Sequence, residues 1–487
     1  MKSVLFTIAQ EGSYNTTDEA LKLEGLLSTG LERYYDRKFL ENYMANIRKE
    51  PGELSFNWYP QNVPGHWMSA NIMTSSKIIA DPVSIEVLER ELAEGDYSHI
   101  VMSVYLSGYS TFRKLTKYLR QHHPEVKIIA TSVGALLPES RLLADYNIKG
   151  EMVHELREIL GETISKPLKP VAVRSDTEAS FGGVNKRSSY ALLVSSLGCM
   201  YGCDFCPSTA QFGTAYITPF TAQEIKQAII EAHDAISPDS ASFTVSLAEP
   251  QGMGNTNLWK RIFRLCDDLP FECDIVATTS SKIMEKYDPE ELTRGPLRLS
   301  TVNIGVESLV RGYKKNCNVD LERLNMSLQN AGINVVSTFI VGLDWHTKEN
   351  VREEVRLLKN LNSTGYIVAN LEMQPGTPVY ERYRKVGRLL DVPPELLNFY
   401  GYNAFTHPHF MPGFNDMLPL LDGINAEIGG GERSLTRNME VFLNRKHASR
   451  SQKSAIRSLK ENDAVKFYFS EVIRQIDLFH PFILSTN

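Results

Sequence analysis

Between residues 188 and 390, short apolar runs alternate with amphipathic segments at a pitch that few architectures accommodate. The runs Tyr190–Ser196, Ser242–Leu247, Asp274–Thr279, Ser300–Gly305, Asn334–Val341 and Gly365–Leu371 read as buried strands. Helical patterns fill the intervals at Thr221–Ser237, Asn257–Asp267, Pro289–Thr293, Asp320–Ala331 and Thr347–Leu361. Strands alternating with helices form βαβ units, whose crossovers lay the strands parallel. Six such repeats predict an incomplete barrel with the strand C-terminal ends facing one site.

A stretch of the same kind precedes it. Met1–Ala9 reads as a strand, Val83–Ala93 as a helix, Tyr97–Tyr105 as a strand, Ser110–His122 as a helix and Lys127–Thr131 as a strand. The loop Ser132-Val133-Gly134 follows, and Gly150-Glu151-Met152 leads into a short helix. Residues 1–165 are therefore expected to form a parallel α/β domain, although 12–75 carries no clear period. Residues 166–187 are rich in Pro, Gly, Ser and charge and read as a linker. Residues 391–487 read as a mostly helical tail, with a basic stretch at Arg445, Lys446, Arg450, Lys453, Arg457 and Lys460. That stretch fits a solvated helix face, or alternatively contact with an acidic substrate.

After the strand Tyr190–Ser196 comes Cys199-Met200-Tyr201-Gly202-Cys203-Asp204-Phe205-Cys206. Three thiols spaced C-x3-C-x2-C in one loop suit an iron–sulfur cluster. On a [4Fe–4S] cube, three protein ligands leave one iron open. A zinc site short of one ligand, or cysteines that are merely buried, are the other readings, and spacing alone leaves the metal open. Cys266 and Cys273 read as small buried apolar residues. Cys317, in a polar segment, is the remaining thiol that could face a site.

Composition narrows the function classes. A chain of 487 residues with 42% hydrophobic residues can bury more than one core. A net charge of −6 argues against a protein built mainly to hold nucleic acid. The apolar N-terminus is too short for a signal peptide, and no run is long enough to span a membrane. Six cysteines, half of them in one loop, are not a disulfide framework in a chain this long. The expected compartment is the reducing cytoplasm.

The cysteine spacing, with an aromatic residue before the last cysteine, resembles the radical S-adenosylmethionine (radical SAM) superfamily. Residues 80–400 resemble its subfamily with an N-terminal B12 (cobalamin)-binding-type domain. The resemblance implies a Rossmann-like first domain and a (β/α)6 partial barrel. It also implies a [4Fe–4S] cluster on Cys199, Cys203 and Cys206, with SAM on the open iron and Phe205 over the cluster or the adenine. Glu249 in Ser246-Leu-Ala-Glu-Pro250 stands where relatives carry Gly-Gly-Glu-Pro, which meets the SAM amino group; only Glu-Pro matches. Thr278 and Ser280, at the third strand end, would bond the ribose or the carboxylate, though such hydroxyls also cap helices. Glu307 in Gly305-Val-Glu-Ser308 matches a fourth-strand motif and would touch SAM. Ser337–Leu343 resembles the fifth strand, and Gln374-Pro-Gly-Thr-Pro378 a turn that recurs after the sixth.

In the first domain, Ser132 and Gly134, with Gly150-Glu151-Met152, are weakened versions of the subfamily's cobalamin loops. The Asp-x-His-x-x-Gly loop that supplies a lower histidine ligand in some B12 enzymes is absent. Asp344-Trp-His346 lies in the other domain, lacks the glycine and is read as chance. Cobalamin is expected; a domain kept for packing or substrate contact is the alternative.

The resemblance implies reductive cleavage of SAM to a 5′-deoxyadenosyl radical and, with methylcobalamin, C-methylation of an unactivated carbon in a biosynthetic pathway. Without cobalamin, a cyclase or rearrangement enzyme is the natural reading. An iron–sulfur electron carrier or sensor is a different class, and it would need no SAM pocket. The expected partners are a small-molecule or lipid substrate and an electron donor such as flavodoxin or ferredoxin, with neither nucleic acid nor a membrane span.

Overall fold

The computed structural model describes residues 2–9, 54–58, 62–181, 184–238, 242–428 and 432–445, with isolated positions at 453, 454 and 457. The chain forms two compact units. The first comprises residues 1–188, 198–219 and 372–405; the second comprises 189–197, 220–371 and 406–487.

In the first unit, β1 (Ser3–Ala9) stands second in a five-stranded sheet of order β3-β1-β4-β5-β6. Its partners are β3 (Ser76–Pro82), β4 (Tyr97–Val104), β5 (Lys127–Thr131) and β6 (Tyr146–Asn147). Every pairing is parallel, with Val4 opposite Ser76 and His99, and Ile100 opposite Ile128. Val4–Ala9 are buried throughout, as expected of a parallel strand covered on both faces. The order reverses at β1, since the chain goes to β3 on one side and then to β4 on the other. In such sheets the crevice for a ligand opens outside the strand C-terminal ends. Helices α1 (Val63–Asn71), α2 (Ile85–Glu94) and α3 (Tyr109–His122) connect or flank these strands. α3 buries Tyr109, Phe112, Leu115, Thr116 and Leu119, one stripe at helical spacing. The short helices α4 (Ser140–Leu143) and α5 (Val153–Ile159) follow β5 and β6.

Strand β7 (Val171–Phe181) lies inside the stretch expected as a linker, and it pairs antiparallel with β2 (Leu54–Trp58). Its alternation was masked by the prolines and glycines at its two ends, yet Val173 is buried beside exposed Arg174. α1 and β3 arise within or just after the stretch that carried no period; residues 10–53 lie outside the described ones. β8 (Val184–Val194) starts in this unit and continues into the second.

The second unit contains the expected run of parallel strands: the C-terminal part of β8, then β11 (Ser242–Leu247), β12 (Glu272–Thr279), β13 (Leu297–Glu307), β14 (Asn334–Val341) and β15 (Gly365–Asn370). Neighbours in that order pair in parallel throughout. The short pair β9 (Leu197–Gly198) and β10 (Tyr216–Ile217) is separate. The returning helices start on side-chain caps. In α7 (Ala222–Ile236) Thr221 and Glu224 form a capping box, in α8 (Thr256–Leu265) Asn255 caps, in α10 (Leu321–Asn330) Asp320 caps, and in α11 (Lys348–Asn360) Thr347 and Asn350 cap reciprocally.

One expected helix is absent. Residues 289–293 form turns, and α9 (Ser281–Met284) is the only helix between β12 and β13. The segment is bracketed by Pro289 and Gly295-Pro296, too short a span to repay helix nucleation. Among the described residues, no helix is long and apolar enough to cross a membrane. In the tail, α13 (Met417–Ile428) and α14 (Glu432–Asn444) are helical as expected. Arg445 departs from the solvated reading, because it donates to Gly332 O at 3.2 Å and lies 3.9 Å from Asp274. Lys446, Arg450 and Lys460 lie outside the described residues.

Candidate active site

The three-cysteine loop belongs to the first unit. Its neck is closed by pairing of β9 with β10, and Gly198 (φ +76°) approaches so closely that any Cβ there would collide with Ala215 O. Only glycine meets both demands. Cys199, Cys203 and Cys206 are partly buried and take part in no disulfide. The loop is held by its own backbone: Cys206 N donates to Cys203 O at 3.2 Å, and Thr209 Oγ1 donates to the same oxygen at 2.8 Å. Pro207 then opens α6 (Pro207–Phe212) immediately after the last thiol. From α12 (Pro378–Lys385), Val379 N donates to Asp204 O at 3.0 Å, and the Arg382 guanidinium lies 3.4 Å from the Asp204 carboxylate. Among the described residues, no three His, Cys, Asp or Glu side chains converge as ligands of a single ion. A cube whose cysteines bind separate irons does not call for that convergence.

The two loops expected to line cobalamin reach this same part of the unit. Gly134 packs so closely on the end of β4 that a Cβ would lie 2.6 Å from Val104 Cγ1 and 2.9 Å from its carbonyl oxygen. Ser132, directly after β5, holds a left-handed backbone (φ 69°). Leu136, just beyond, is the nearest neighbour of Gly376 in the Gln374–Pro378 turn, whose other side meets Ala210 of α6. Gly150 donates its N–H to Gln211 Oε1 at 3.1 Å. The buried polar atoms of this unit without a hydrogen-bond partner include Ser107 Oγ after β4, Asn147 Oδ1 in β6, and Ser208 Oγ and Gln211 Nε2 on α6, beside others in β1, β7, the α1 cap and the Gln374 turn. Such atoms are costly unless something answers them, which suits a site for an amide-bearing ligand.

In the second unit the remaining candidates line the strand C-terminal ends. Glu249, two residues past β11, is 5% exposed. It accepts from Ser195 Oγ, from Ser195 N at 3.3 Å and from Ser196 Oγ at 3.3 Å, all just past β8. Burial pushes its carboxyl up to about 7, against the opposing pull of those bonds. No lysine or arginine among the described residues pairs with it. Gln251 continues the loop and donates to Thr279 Oγ1 at 2.6 Å, while Gly252 N donates to Thr278 O at 2.7 Å. Thr278 Oγ1 accepts from Asn303 Nδ2 of β13 at 3.4 Å. Ser280 stands at the N-cap of α9, but its hydroxyl makes no capping bond there.

Glu307 ends β13 in a left-handed backbone (φ 63°) and is 7% exposed. The structure gives it a cation of its own: Lys315 Nζ lies 2.5 Å from Oε1, and Thr338 Oγ1 donates to Oε2 at 3.2 Å. Gly305 leaves room for this pair, because a Cβ there would push on Lys315 Nζ and Glu307 Oε1. Asn316 secures the loop by donating to Gly305 O at 2.7 Å and Val306 O at 3.0 Å, and Ser281 Oγ donates to its Oδ1 at 2.8 Å. Sequence reasoning gave Glu307 no cation, and it passed over Ser195, Ser196 and Gln251 as site residues. A polar Ser-Ser pair ending a buried strand was the available signal.

His346, read as chance, is wholly buried. Its Nδ1 accepts from Gly342 N at 3.1 Å and Leu343 N at 3.3 Å, and Nε2 lies 3.3 Å from Glu354 Oε1. Glu354 Oε2 accepts in turn from Ser308 Oγ and Leu309 N, both at 2.8 Å. This network ties the loops after β13 and β14 together. Cys266 and Cys273 are buried as expected, and burial pushes the Cys266 thiol up to about 12. Cys317 Sγ turns back to Tyr313 O at 3.3 Å. A cavity of about 540 Å³ between α10 and α14 lies away from all of these residues, where Arg437 bridges Gln329 and Asn362.

The fold has a solved counterpart. A radical S-adenosylmethionine methyltransferase, TsrM, from Kitasatospora setae, with cobalamin and a [4Fe-4S] cluster bound, superposes with a TM-score of 0.50. It is 13% identical, and the match covers 81% of this chain and 80% of that one. This chain shares the radical SAM methyltransferase fold. A second TsrM structure, with tryptophan substrate and the SAM analog aza-SAM bound, has a TM-score of 0.49 at 13% identity, covering 81% and 78% of the two chains. No protein-family model and no curated protein matches the sequence.

Proposed function

We propose that this chain is a cobalamin-dependent radical SAM enzyme, a C-methyltransferase whose second unit is a (β/α)6 partial barrel. The observation that carries the reading is that three cysteines in one loop adjoin, within a single compact unit, the loops expected to line cobalamin. Cys199, Cys203 and Cys206 would hold a [4Fe–4S] cluster, whose open iron takes SAM. When bound, these groups supply one-electron cleavage of SAM and a methyl donor on cobalt, chemistry that belongs to the cofactors rather than the chain.

The protein's part is to bind, orient and exclude water. Glu249, a buried carboxylate without a cation, is suited to the SAM ammonium, and Ser195 and Ser196 fix its orientation. Thr278 and Ser280 offer hydroxyls to the ribose or the carboxylate. Glu307 is better placed for ribose hydroxyls than for an ammonium, since Lys315 already occupies Oε1. Ser132 and Gly134 would shape the floor of the cobalamin site. A small-molecule substrate and a one-electron donor complete the reaction. A carrier or sensor is disfavoured because it gains nothing from an uncompensated buried carboxylate.

The test is anaerobic reconstitution with iron and sulfide, followed by reduction in the presence of SAM and hydroxocobalamin. The expected results are a cluster spectrum, retained cobalamin, and 5′-deoxyadenosine or S-adenosylhomocysteine. A chain that binds iron yet consumes no SAM under any reductant refutes the reading.

A further inference from the structure

The helix after the cluster loop carries two side chains that no expectation assigned. The geometry points to Ser208 and Gln211 as the α6 wall of the cobalamin site, donating hydrogen bonds to carbonyl oxygens of the corrin's peripheral amides. This rests on the cobalamin reading above.

The amide of Gln211 is oriented by chemistry rather than by choice. Gly150 N–H can only donate, so the atom facing it at 3.1 Å is the amide oxygen. Nε2 is therefore left with two donors, and it is buried without a partner. Ser208 is 8% exposed, and its hydroxyl is likewise buried and unanswered. The two residues are three apart, so they share one face of α6. That face meets the Gly150 loop, whose backbone comes so near that a Cβ would stand 3.2 Å from Gln211 O. A protein gains nothing by burying two donors on one helix face with no acceptor. Cobalamin carries primary amides around its ring edge, and their oxygens are acceptors of the right kind. Asn147 Oδ1, three residues before Gly150, is a buried acceptor without a partner and suits the amide N–H groups of the same ligand.

Gln211→Glu and Ser208→Ala test this in the full-length, anaerobically reconstituted chain. Gln211→Glu keeps the acceptor for Gly150 N–H but removes both donors, so it separates a corrin contact from a structural one. Hydroxocobalamin is titrated and followed by its visible spectrum, with iron content and far-ultraviolet circular dichroism as controls. Each variant is expected to bind hydroxocobalamin about tenfold more weakly or worse, with iron content unchanged. Wild-type chain that retains no cobalamin overturns the cofactor reading itself. Wild-type binding matched by both variants overturns only the assignment of α6. A variant that loses iron as well as cobalamin assigns its residue to the cluster loop and equally overturns the corrin contact.

Discussion

Glu249 makes a prediction in which stability and binding move in opposite directions. Lifting a carboxyl from 4.5 to about 7 means its charged form costs about 3 kcal/mol more in the folded chain than in the unfolded one. The folded chain holds this proton more tightly, so unfolding releases it between those values. The group's favourable contribution is therefore complete below about 4.5, and it is lost as pH rises to 7 and beyond. Above pH 7 a charged carboxylate sits buried with only serine partners.

Glu249→Gln removes that charge. Weaker hydrogen bonding to Ser195 and Ser196 costs about 1 kcal/mol, so the variant without cofactors should be about 2 kcal/mol more stable than wild type at pH 8. At pH 5 the advantage should vanish or reverse. Urea unfolding followed by tryptophan fluorescence at the two pH values measures this. SAM affinity should fall instead, about tenfold to a hundredfold, as a charge-assisted bond is lost. Wild-type SAM affinity should also weaken as pH drops below 7, because protonation removes the charge the ammonium needs. A variant that gains no stability at pH 8, or that binds SAM as tightly as wild type, refutes the reasoning.

Cys203→Ala should abolish the cluster, read as iron content and visible absorption; a persisting cluster would remove Cys203 from the ligand set. Gly198→Ala should likewise lose iron, because its Cβ would collide with Ala215 O and its backbone is left-handed; full iron content would show that the neck of the loop can yield. Lys315→Met leaves Glu307 buried without its cation, and should destabilise the second unit by about 3 kcal/mol. Adding Glu307→Gln should recover most of that loss in urea unfolding, and a double variant no better than the single one would deny the pairing.

The sequence made the alternation legible because strand and helix periods differ, and five of the six expected strand segments in residues 188–390 begin and end within three residues of where they form. What stayed hidden was what period cannot encode. β7 alternates, but its terminal prolines and glycines dominated the reading. Residues 289–293 look helical only if Pro289 and Gly295-Pro296 are ignored. The candidate site was legible residue by residue and not as contacts. Glu249 meets Ser195 across 54 positions and Thr338 meets Glu307 across 31, separations that a single sequence leaves unpaired. Lys315 was visible as a lysine in a loop, yet nothing local announced that it neutralises Glu307.

The departures from good local structure point the same way as the motifs. Ser132 follows β5, Met253 lies in the loop after β11 and Glu307 ends β13, and all three hold left-handed backbone without being glycine. Each such residue costs about 1–3 kcal/mol and persists only where its surroundings impose it. Met152, Asn318 and Asn362 share that backbone near helix ends, whereas Ser132, Met253 and Glu307 fall at or beyond the C-terminal end of a parallel strand, where folds of this kind bind ligands. The buried atoms without partners after β4 and on α6, and the carboxylate without a cation after β11, fall beside strand ends or the cluster loop as well. A chain selected for stability alone would have relaxed such positions, since glycine and an apolar residue were available at each. Their retention in these loops is what a chain organised around ligands at its strand ends requires.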